Sequence, residues 1–230
     1  MSLPVAIIDS GVTAGHPHLA GITVRGFSLV DDDPGVQPDF SDRTGHGTAV
    51  AAAFARLIPQ VELLAVRVLD DELRTSTPLL ARAIRMAAQQ GARVLNLSLG
   101  SGQPEARGPL LAAIEEASQL GAVCVAAAHP HGLPLWPADL DCVISASTHR
   151  SCPLADLYRV PGPIPRYVTH GYPRPIEGRP PTDNFFGTSF AAVNLAGRVH
   201  ALLNGPDKLS MPELVAKLDA SCTGEWTASP

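Results

Sequence analysis

The stretch "RVLNLSLG", residues 93–100, is a short and almost wholly apolar run that predicts a buried β-strand. The segment "RGPLLAAIEEASQLG", residues 107–121, then has the length of a helix and stops at a glycine, and "AVCVAAA", residues 122–128, is apolar again. Two such strands joined by a helix are typical of a parallel sheet covered by helices on both faces. This unit therefore predicts an α/β fold.

The same alternation of strands and helices extends over most of the 230 residues. Further strands are predicted at "VAIID" (5–9), "ITVRGFSL" (22–29), "VELLAVRVL" (61–69) and "DCVISAS" (141–147). Further helices are predicted at "GHGTAVAAAFARL" (from about Gly47), "STPLLARAIRMAAQQG" (76–91), "GTSFAAVNLAGRVHALL" (187–203) and "SMPELVAKLDA" (210–220). Ser76 or Thr77 caps the second of these helices, and Ser210 with Glu213 forms a capping box.

These elements predict a three-layer, doubly wound and mainly parallel sheet with helices on both faces, in a single domain over residues 1–230. The Pro-rich stretch at about 153–181 is expected to be irregular. In such folds ligands bind at the carboxyl ends of the strands. Asp9, the Ser98-Leu99-Gly100 turn and the His129-Pro130-His131 turn should therefore open onto one edge of the sheet.

Composition excludes several classes of partner. Apolar residues make up 45% of the chain and charged residues 17%, which is typical of a folded protein. The net charge of −5 provides no basic patch, so we expect no nucleic-acid partner. No apolar run reaches the roughly 20 residues that span a bilayer, so we expect no membrane partner. The start, "MSLPVAIIDSG", enters a strand without an export signal, which favours a cytoplasmic location and reduced thiols at Cys124, Cys142, Cys152 and Cys222.

Three short motifs bring together the side chains of acyl transfer. Asp9 ends an apolar strand in "IIDSG", His46 lies between glycines at a helix start in "TGHGTAVA", and Ser189 opens a helix in "FGTSFAA". Each motif alone is more typical of a turn or a helix cap. In the order Asp, His, Ser on an alternating α/β pattern, they indicate a weak nucleophile, a base with a pKa near 7 and an acid that orients the base.

These motifs resemble those of the subtilases, the subtilisin-like serine peptidases. The matching blocks run in order over about residues 3–203: "VAIIDSGVTAGHPHL", "GHGTAVAAA", "LLAVRVLD", "VLNLSLG", "VAAA" and "GTSFAA". The resemblance implies that Asp9 is the orienting acid, His46 the general base and Ser189 the nucleophile.

The resemblance also implies a site for a peptide or protein substrate in extended form. The backbone of Ser98, Leu99 and Gly100 would pair with the peptide as an added strand. Ala126, Ala127 and Ala128 would form a wall of the pocket for the residue before the cleaved bond. Without the triad, the same alanines would be interpreted as a tightly packed core strand.

One departure from the family concerns the oxyanion. The family pattern "VAAAGNEG" carries an Asn whose amide stabilises the tetrahedral oxyanion, and here the segment reads "VAAAHPHG" with Pro130 at that position. Proline has no hydrogen-bond donor. Three alternatives follow: an imidazole N–H of His129 or His131 replaces the amide, some other group donates in its place, or catalysis is slow or absent.

Metal sites are the second point of departure. His16, His18, His129 and His131 lack a recognisable zinc spacing, and solvated turn histidines are the preferred interpretation. The family's "HPDL" reads "HPHL" at residues 16–19, and "AFARLIPQVELLAV" passes from helix to strand without the loop that supplies calcium ligands. We therefore expect no metal or other cofactor, and a surface turn at "DDD" (31–33). Val193 and Asn194 replace Pro and His behind the nucleophile and predict altered packing.

Three functions remain open at this point. The first is a serine endopeptidase that acts through an acyl-enzyme and whose reshaped cleft selects a particular precursor peptide. The second is a catalytically weak or inactive peptide-binding module on the same fold. The third is an esterase or transpeptidase that uses the same acyl-enzyme. No pro-segment precedes the first strand, so we expect an intracellular form or a domain of a longer chain, with flanking domains left open.

Overall fold

A computed structural model describes residues 3–30 and 35–227. The strands in these residues are β1 Val5–Asp9, β2 Thr23–Ser28, β3 Glu62–Arg67, β4 Val94–Leu97, β5 Val123–Ala127, β6 Ile144–Thr148, β7 Tyr158–Val160, β8 Arg166–Thr169 and β9 Gly224–Glu225. The α-helices are α1 His46–Leu57, α2 Thr77–Gln89, α3 Arg107–Gln119, α4 Thr188–Leu203 and α5 Met211–Ala220.

The strands form one sheet in the order β2-β3-β1-β4-β5-β6-β8-β7-β9. All neighbouring strands run parallel except β7 and β8. The chain winds from β1 first to one side of the sheet and then, from β4 onward, to the other side. The strand order therefore reverses between β1 and β4, and ligand sites of open α/β sheets lie at such a reversal. The predicted doubly wound, mainly parallel α/β architecture is confirmed.

Helices cover the two faces of the sheet, and each face has its own core. Val5 and Ile7 of β1 pack into the core beneath α1, α4 and α5. Ala6 and Ile8 pack into the core beneath α2 and α3. Successive side chains of a strand point to opposite faces, so a strand buried on both sides must be apolar throughout. This is the physical reason for the continuous apolar runs in the sequence.

Local signals set the helix boundaries as expected. Ser76 is the residue before α2, and its hydroxyl accepts a hydrogen bond from the Leu79 N–H at 3.4 Å. Before α5, the Glu213 carboxylate accepts the Ser210 N–H at 2.8 Å, as a capping box requires. No helix of the described residues is both long enough and apolar enough to cross a membrane.

The expectation of an irregular stretch at 153–181 is wrong in part, because β7 and β8 lie within it. These strands are three and four residues long and are held by pairing with each other and with β6. The Arg159 guanidinium also bonds the carbonyls of Ile164 and Arg166, both at 3.1 Å. Such tertiary pairing leaves no periodic signal in a short Pro-rich segment. The single-domain interpretation stays a prediction.

Candidate active site

Asp9 and His46 are in direct contact at the end of β1. Asp9 is the last residue of that strand and is fully buried, and its Oδ1 lies 2.7 Å from His46 Nδ1. His46 is the first residue of α1, and the preceding Gly45 has a φ of 84°, which turns the chain sharply into the helix. The Ser10 N–H donates to the same Asp9 oxygen at 2.7 Å. The carboxylate is thereby fixed and can orient the imidazole.

Gly47 lets α1 approach β1 closely enough for this contact. A Cβ at Gly47 would lie 2.2 Å from the Gly11 carbonyl oxygen and 3.2 Å from Asp9 Oδ1. Neither atom can retreat easily, since one belongs to the backbone and the other contacts His46. The glycine after His46 is therefore required by the packing of the helix start against the strand end.

Asp42 holds the loop that leads into α1. One of its oxygens, Oδ1, accepts hydrogen bonds from the Thr44 N–H at 3.0 Å, the Gly45 N–H at 2.9 Å and the Ser10 hydroxyl at 3.0 Å. The other, Oδ2, accepts the Thr48 N–H at 2.8 Å and the Thr48 hydroxyl at 2.6 Å. Asp42 thus ties the residues on both sides of His46 to Ser10, the neighbour of Asp9.

Two nearby carboxylates make His46 a stronger base. Burial disfavours the imidazolium, but the hydrogen bond and charge of Asp9, with the charge of Asp42, raise the pKa of His46 above its usual value. Asp42 remains ionised because its hydrogen bonds from Thr48, Thr44 and Gly45 outweigh the effect of burial and lower its pKa.

Ser189 lies in the first turn of α4, and the residue that follows it packs near His46. The ring of the next residue, Phe190, is 5.8 Å from the His46 ring, and the ring of Phe185 is 6.3 Å from it. The Ser189 hydroxyl donates to the Ser98 carbonyl oxygen at 3.3 Å. Within the described ranges, no hydrogen bond joins Ser189 to His46. The structure thus makes the Asp9–His46 contact and directs the serine toward the end of β4.

The backbone at the start of α4 is suited to an anion. The N–H groups of Phe190 and Ala191 bond to the Gly187 carbonyl, at 3.1 and 3.3 Å. The Ser189 N–H makes no hydrogen bond to the described part of the chain, as expected for an amide in the first turn of a helix. The positive end of the helix dipole adds to its attraction for negative charge.

His129 and His131 lie in the turn after β5 and differ in environment. The His131 N–H donates to His129 Nδ1 at 3.1 Å, and the Gly132 N–H donates to the His129 carbonyl at 3.0 Å. His129 is half-buried, and His131 is exposed. A ring nitrogen that accepts a hydrogen bond carries no proton, so the neutral His129 ring is protonated at Nε2.

The residues expected to bind substrate are partly exposed at β4 and buried at β5. Ser98 and Leu99 are half-buried and Gly100 is exposed. A Cβ at Gly100 would lie 2.6 Å from the Trp136 carbonyl and 2.9 Å from Leu135 Cγ, so the segment 135–136 lies against this turn.

Ala126, Ala127 and Ala128 are at most 3% exposed. Ala126 packs into the core beneath α2 and α3, and Ala127 into the core beneath α1 and α4. Their side chains thus match the packed-strand interpretation, and their role as a pocket wall stays a prediction.

The histidine pairs do not form a metal centre in residues 3–30 and 35–227, where no three His, Cys, Asp or Glu side chains are grouped to hold an ion. His16 and His18 contact each other, with ring centroids 5.0 Å apart. The segment "DDD" (31–33) lies outside the described residues. The connection from α1 to β3 comprises residues 58–61.

Asn194 lies in α4 after Ser189, at a position where the sequence predicts altered packing. It is buried in α4, and its amide donates to the carbonyls of His170 at 2.7 Å and Phe190 at 2.9 Å. Val193 beside it is fully buried in the core. The Asn194 amide thereby attaches the loop after β8 to the helix that carries Ser189.

Sequence reasoning missed the side chains that support the site, namely Ser10, Asp42, Thr48 and Phe185. A signal existed for Asp42, since "DRTG" at residues 42–45 is typical of an Asx turn, in which the carboxylate accepts N–H groups two or three residues on. No local pattern reveals that Thr48 and Ser10 share the same carboxylate.

The sequence comparisons identify one family. The model of the Subtilase family matches residues 2–129, more than half of the chain. Thermitase of Thermoactinomyces vulgaris is 39% identical over 146 residues, which cover 58% of this chain and 50% of thermitase. An intracellular serine protease of Paenibacillus polymyxa is 32% identical over 133 residues, or 53% of this chain and 40% of that protein. The chain belongs to the subtilase family. It spans about half the length of these curated relatives or less.

Solved structures share the fold over nearly the whole chain. A cold adapted subtilisin-like serine proteinase superposes with a TM-score of 0.73 at 23% identity, covering 94% of this chain and 81% of that one. A lanthipeptide protease superposes with a TM-score of 0.71 at 21% identity, covering 93% and 79%. The three-layer subtilisin-like architecture is thereby shown.

Proposed function

We propose that this chain is a serine endopeptidase that cleaves peptide bonds through an acyl-enzyme. The observation that carries the proposal is the 2.7 Å contact between buried Asp9 and His46, with Ser189 at the adjacent helix start. Family membership supports the same chemistry. Asp9 orients His46 and stabilises its charged form, His46 is the general base, and Ser189 is the nucleophile.

The reaction proceeds in two halves. The Ser189 hydroxyl turns from the Ser98 carbonyl toward His46 Nε2, transfers its proton there and attacks the peptide carbonyl carbon. Collapse of the tetrahedral intermediate breaks the C–N bond, and the leaving amine takes the proton from His46. Water then attacks the acyl-enzyme with His46 again as base, which releases the acid and restores the Ser189 hydroxyl.

Two N–H groups are proposed to bind the oxyanion. The Ser189 N–H is one, because it has no partner in the described chain and lies at the positive end of α4. The second is His129 Nε2–H, since the bond from the His131 N–H to Nδ1 leaves the ring proton on the other nitrogen. His131 is not proposed, because it is exposed and no hydrogen bond from the described residues holds its ring.

The substrate is proposed to bind in extended form along Ser98–Gly100. Gly100 is exposed, and its backbone makes no hydrogen bond within the described residues, so it is available for an added strand. Leu135 and Trp136 lie against this turn and narrow the space beside it, and Ser101 is fixed to Trp136 by two backbone bonds of 2.8 and 2.9 Å. A narrowed cleft favours selection of one precursor peptide over general digestion.

We further propose that the chain acts in the cytoplasm without a cofactor. The four cysteines are free thiols, which suits a reducing compartment, and one relative is named as intracellular. His18 stands where the family pattern has an acid, and the four-residue connection at 58–61 supplies few oxygen ligands for calcium.

The test is labelling by a fluorophosphonate probe, which reacts with an activated serine. We expect labelling of the wild-type chain at Ser189, hydrolysis of some peptides in a library, and loss of both in Ser189→Ala. Ser98→Ala is the matched control, because it removes a neighbouring hydroxyl and should keep labelling. Absence of labelling beside an active control protease would contradict the proposal.

A second candidate is a peptide-binding module with little or no turnover. It is favoured by Pro130 at the place of the usual oxyanion donor and by the Ser189 hydroxyl directed at Ser98. This candidate predicts peptide binding without labelling or hydrolysis. Measurable hydrolysis that depends on Ser189 would exclude it. An esterase or transpeptidase would instead hydrolyse esters, or transfer the acyl group to an added amine, faster than it hydrolyses peptides.

A further inference from the structure

A separate cavity lies next to His46, on the side of α1. Its volume is about 270 Å³, below the range of pockets that hold a whole drug-sized ligand, which suits a single side chain. Three parts of the chain line it: the turn after β1, the first half of α1, and residues 173–185. The residues that line the cavity include His16, His18, Gly45, Ala49, Arg174 and Phe185.

Of two half-buried arginines in this region, one lines the cavity and the other lies outside the lining. Arg174 lines it and donates only a 3.4 Å bond to the His18 carbonyl. Arg56 lies on the same face of α1 as Ala49 and Ala52, and its Nε and Nη2 are buried without a partner in the described chain. Neither arginine forms an ion pair with a carboxylate of the described residues. Buried charges are normally paired, so this arrangement lacks a counter-charge.

The other groups around the cavity add donors but no negative charge. Burial and the nearby Arg174 lower the pKa of Arg56, and burial, Arg174 and His16 lower the pKa of His18. His16 Nδ1 accepts the His18 N–H at 3.2 Å, so the neutral His16 ring is a donor at Nε2. No Asp or Glu is among the lining residues.

Glu177 and Asp183 neighbour the lining residues Ile176 and Asn184 in sequence but are exposed. Asp42 hydrogen-bonds to the lining residue Thr48. Both of its oxygens already accept hydrogen bonds from Ser10, Thr44, Gly45 and Thr48, so it is engaged elsewhere. A surface of this positive sign stands out in a chain whose net charge is −5. Within the described residues the counter-charge is missing, and a bound carboxylate would supply it.

The position of the cavity identifies which part of a peptide would enter it. The proposed acyl-side contacts come from the ends of β4 and β5, whereas no residue of those strands lines the cavity. Gly45 directly precedes His46, and the Phe185 ring is 6.3 Å from the His46 ring, so the cavity borders the imidazole from the opposite side. This is the side of the leaving amine.

We propose that this cavity binds a carboxylate side chain, Glu or Asp, of the peptide segment that leaves after cleavage. The inference rests on the proposed function, since it assumes that Ser189 and His46 act on a peptide. Arg174 supplies the charge that pairs with the carboxylate, His16 supplies a neutral donor, and Arg56 adds positive potential from the helix. The cavity would then determine specificity downstream of the cleaved bond.

The experiment compares kcat/KM for amidated, internally quenched peptides that have the same residues before the cleaved bond. They carry Glu, Gln or Lys at one of the first three positions after the cleaved bond. We expect Glu to raise kcat/KM about tenfold over Gln at one position, as a charge-assisted pair would, and Lys to lower it. In Arg174→Gln, the ratio of kcat/KM for the Glu peptide to that for the Gln peptide (the Glu/Gln ratio) should fall close to 1. Arg174→Lys should retain part of the preference for Glu.

Arg179→Gln is the matched control, because it removes an exposed charge from the same segment outside the cavity and should preserve the ratio. Thermal unfolding verifies that each variant is folded. A chain that hydrolyses the Gln peptides with a Glu/Gln ratio near 1 at all three positions overturns the inference and leaves the proposed function intact.

If no peptide is hydrolysed, the proposed function fails, and calorimetric binding of the same Glu and Gln peptides to the wild-type chain decides the inference. If the Glu peptide binds more tightly than the Gln peptide and this difference is lost in Arg174→Gln, the result supports the inference. Equal binding of the two peptides overturns the inference.

Discussion

At the residue scale, His129 and His131 are separated by one proline yet have different roles in the turn after β5. His129 is half-buried and its Nδ1 accepts the His131 N–H, whereas the His131 ring is exposed. A donor must be held in place before the oxyanion forms, because reorientation during the reaction costs free energy. The backbone bond restrains the His129 ring and fixes its tautomer, and in residues 3–30 and 35–227 no such bond restrains the His131 ring.

The first prediction is that His129→Ala lowers kcat much more than His131→Ala. Loss of one oxyanion donor typically costs about 10²–10³ in kcat, with a small effect on KM. His131→Ala is the matched control, because its backbone N–H remains. Steady-state kinetics on one peptide checks both. Equal rates for the two variants would mean that neither imidazole contacts the oxyanion.

We expect Asp42 to be a positioning residue, which acts on the substrate only through His46. Its charge raises the pKa of His46, and the six hydrogen bonds that it accepts hold the start of α1. Asp42→Asn should therefore lower the pKa of His46, because one negative charge is removed. It should also lower the free energy of unfolding by about 1–3 kcal/mol, since an amide NH₂ cannot accept the N–H groups that one carboxylate oxygen accepts.

An NMR titration of the His46 imidazole measures this pKa whether or not the chain hydrolyses peptides. Asp39→Asn is the control, because that exposed carboxylate lies in the same loop and is not among the charges that shift His46. The pKa of His46 is higher in the folded chain than in the unfolded chain, so protonated His46 stabilises the fold. This contribution to the free energy of unfolding is complete at a pH below the pKa of the unfolded chain, and it is lost as the pH rises through the pKa of the folded chain. An unchanged His46 titration in Asp42→Asn would refute the electrostatic role.

At the element scale, the site depends on how closely α1 approaches β1. Gly47→Ala would place a Cβ 2.2 Å from the Gly11 carbonyl, so the helix start must move away from the strand. We expect a loss of about 1–3 kcal/mol in the free energy of unfolding, together with loss of fluorophosphonate labelling as Asp9 and His46 separate.

Gly108→Ala is the matched control for that substitution. Gly108 also lies in the first turn of a helix, α3, and a Cβ there meets nothing within 4 Å. This variant should gain about 0.4–1 kcal/mol, because alanine reduces the entropy of the unfolded chain. Urea denaturation of both variants checks the pair. A Gly47→Ala protein as stable as the wild type would show that the strand end adapts to the added methyl group.

Elements with strong local signals were predictable, and the others were not. Ser76, Pro78 and Gly91 mark the ends of α2 from the sequence, because caps and stops act within one helical turn. The short strands β7, β8 and β9 have no such signal. Their pairing follows from contacts between segments distant in sequence, such as the 2.6 Å bond from the Thr223 N–H to the Leu157 carbonyl.

At the scale of the whole molecule, the site lies where the strand order reverses, between β1 and β4. Asp9 and His46 are 37 residues apart, and Ser189 contacts Ser98 from 91 residues away. In this chain the parallel sheet with helices on both faces brings these positions to one edge. The proposed catalytic arrangement is thus a property of the complete fold, while each of its motifs is local.

The sequence by itself determined the α/β class, the order of the main elements and the three residues proposed for catalysis. It could do so because apolar periodicity, helix caps and short motifs are properties of neighbouring residues. The tertiary structure alone decided the Asp42 network, the tautomer of His129, the Ser189 bond to Ser98 and the cavity around Arg174. These features join side chains from distant segments, and their geometry depends on how the helices pack on the sheet.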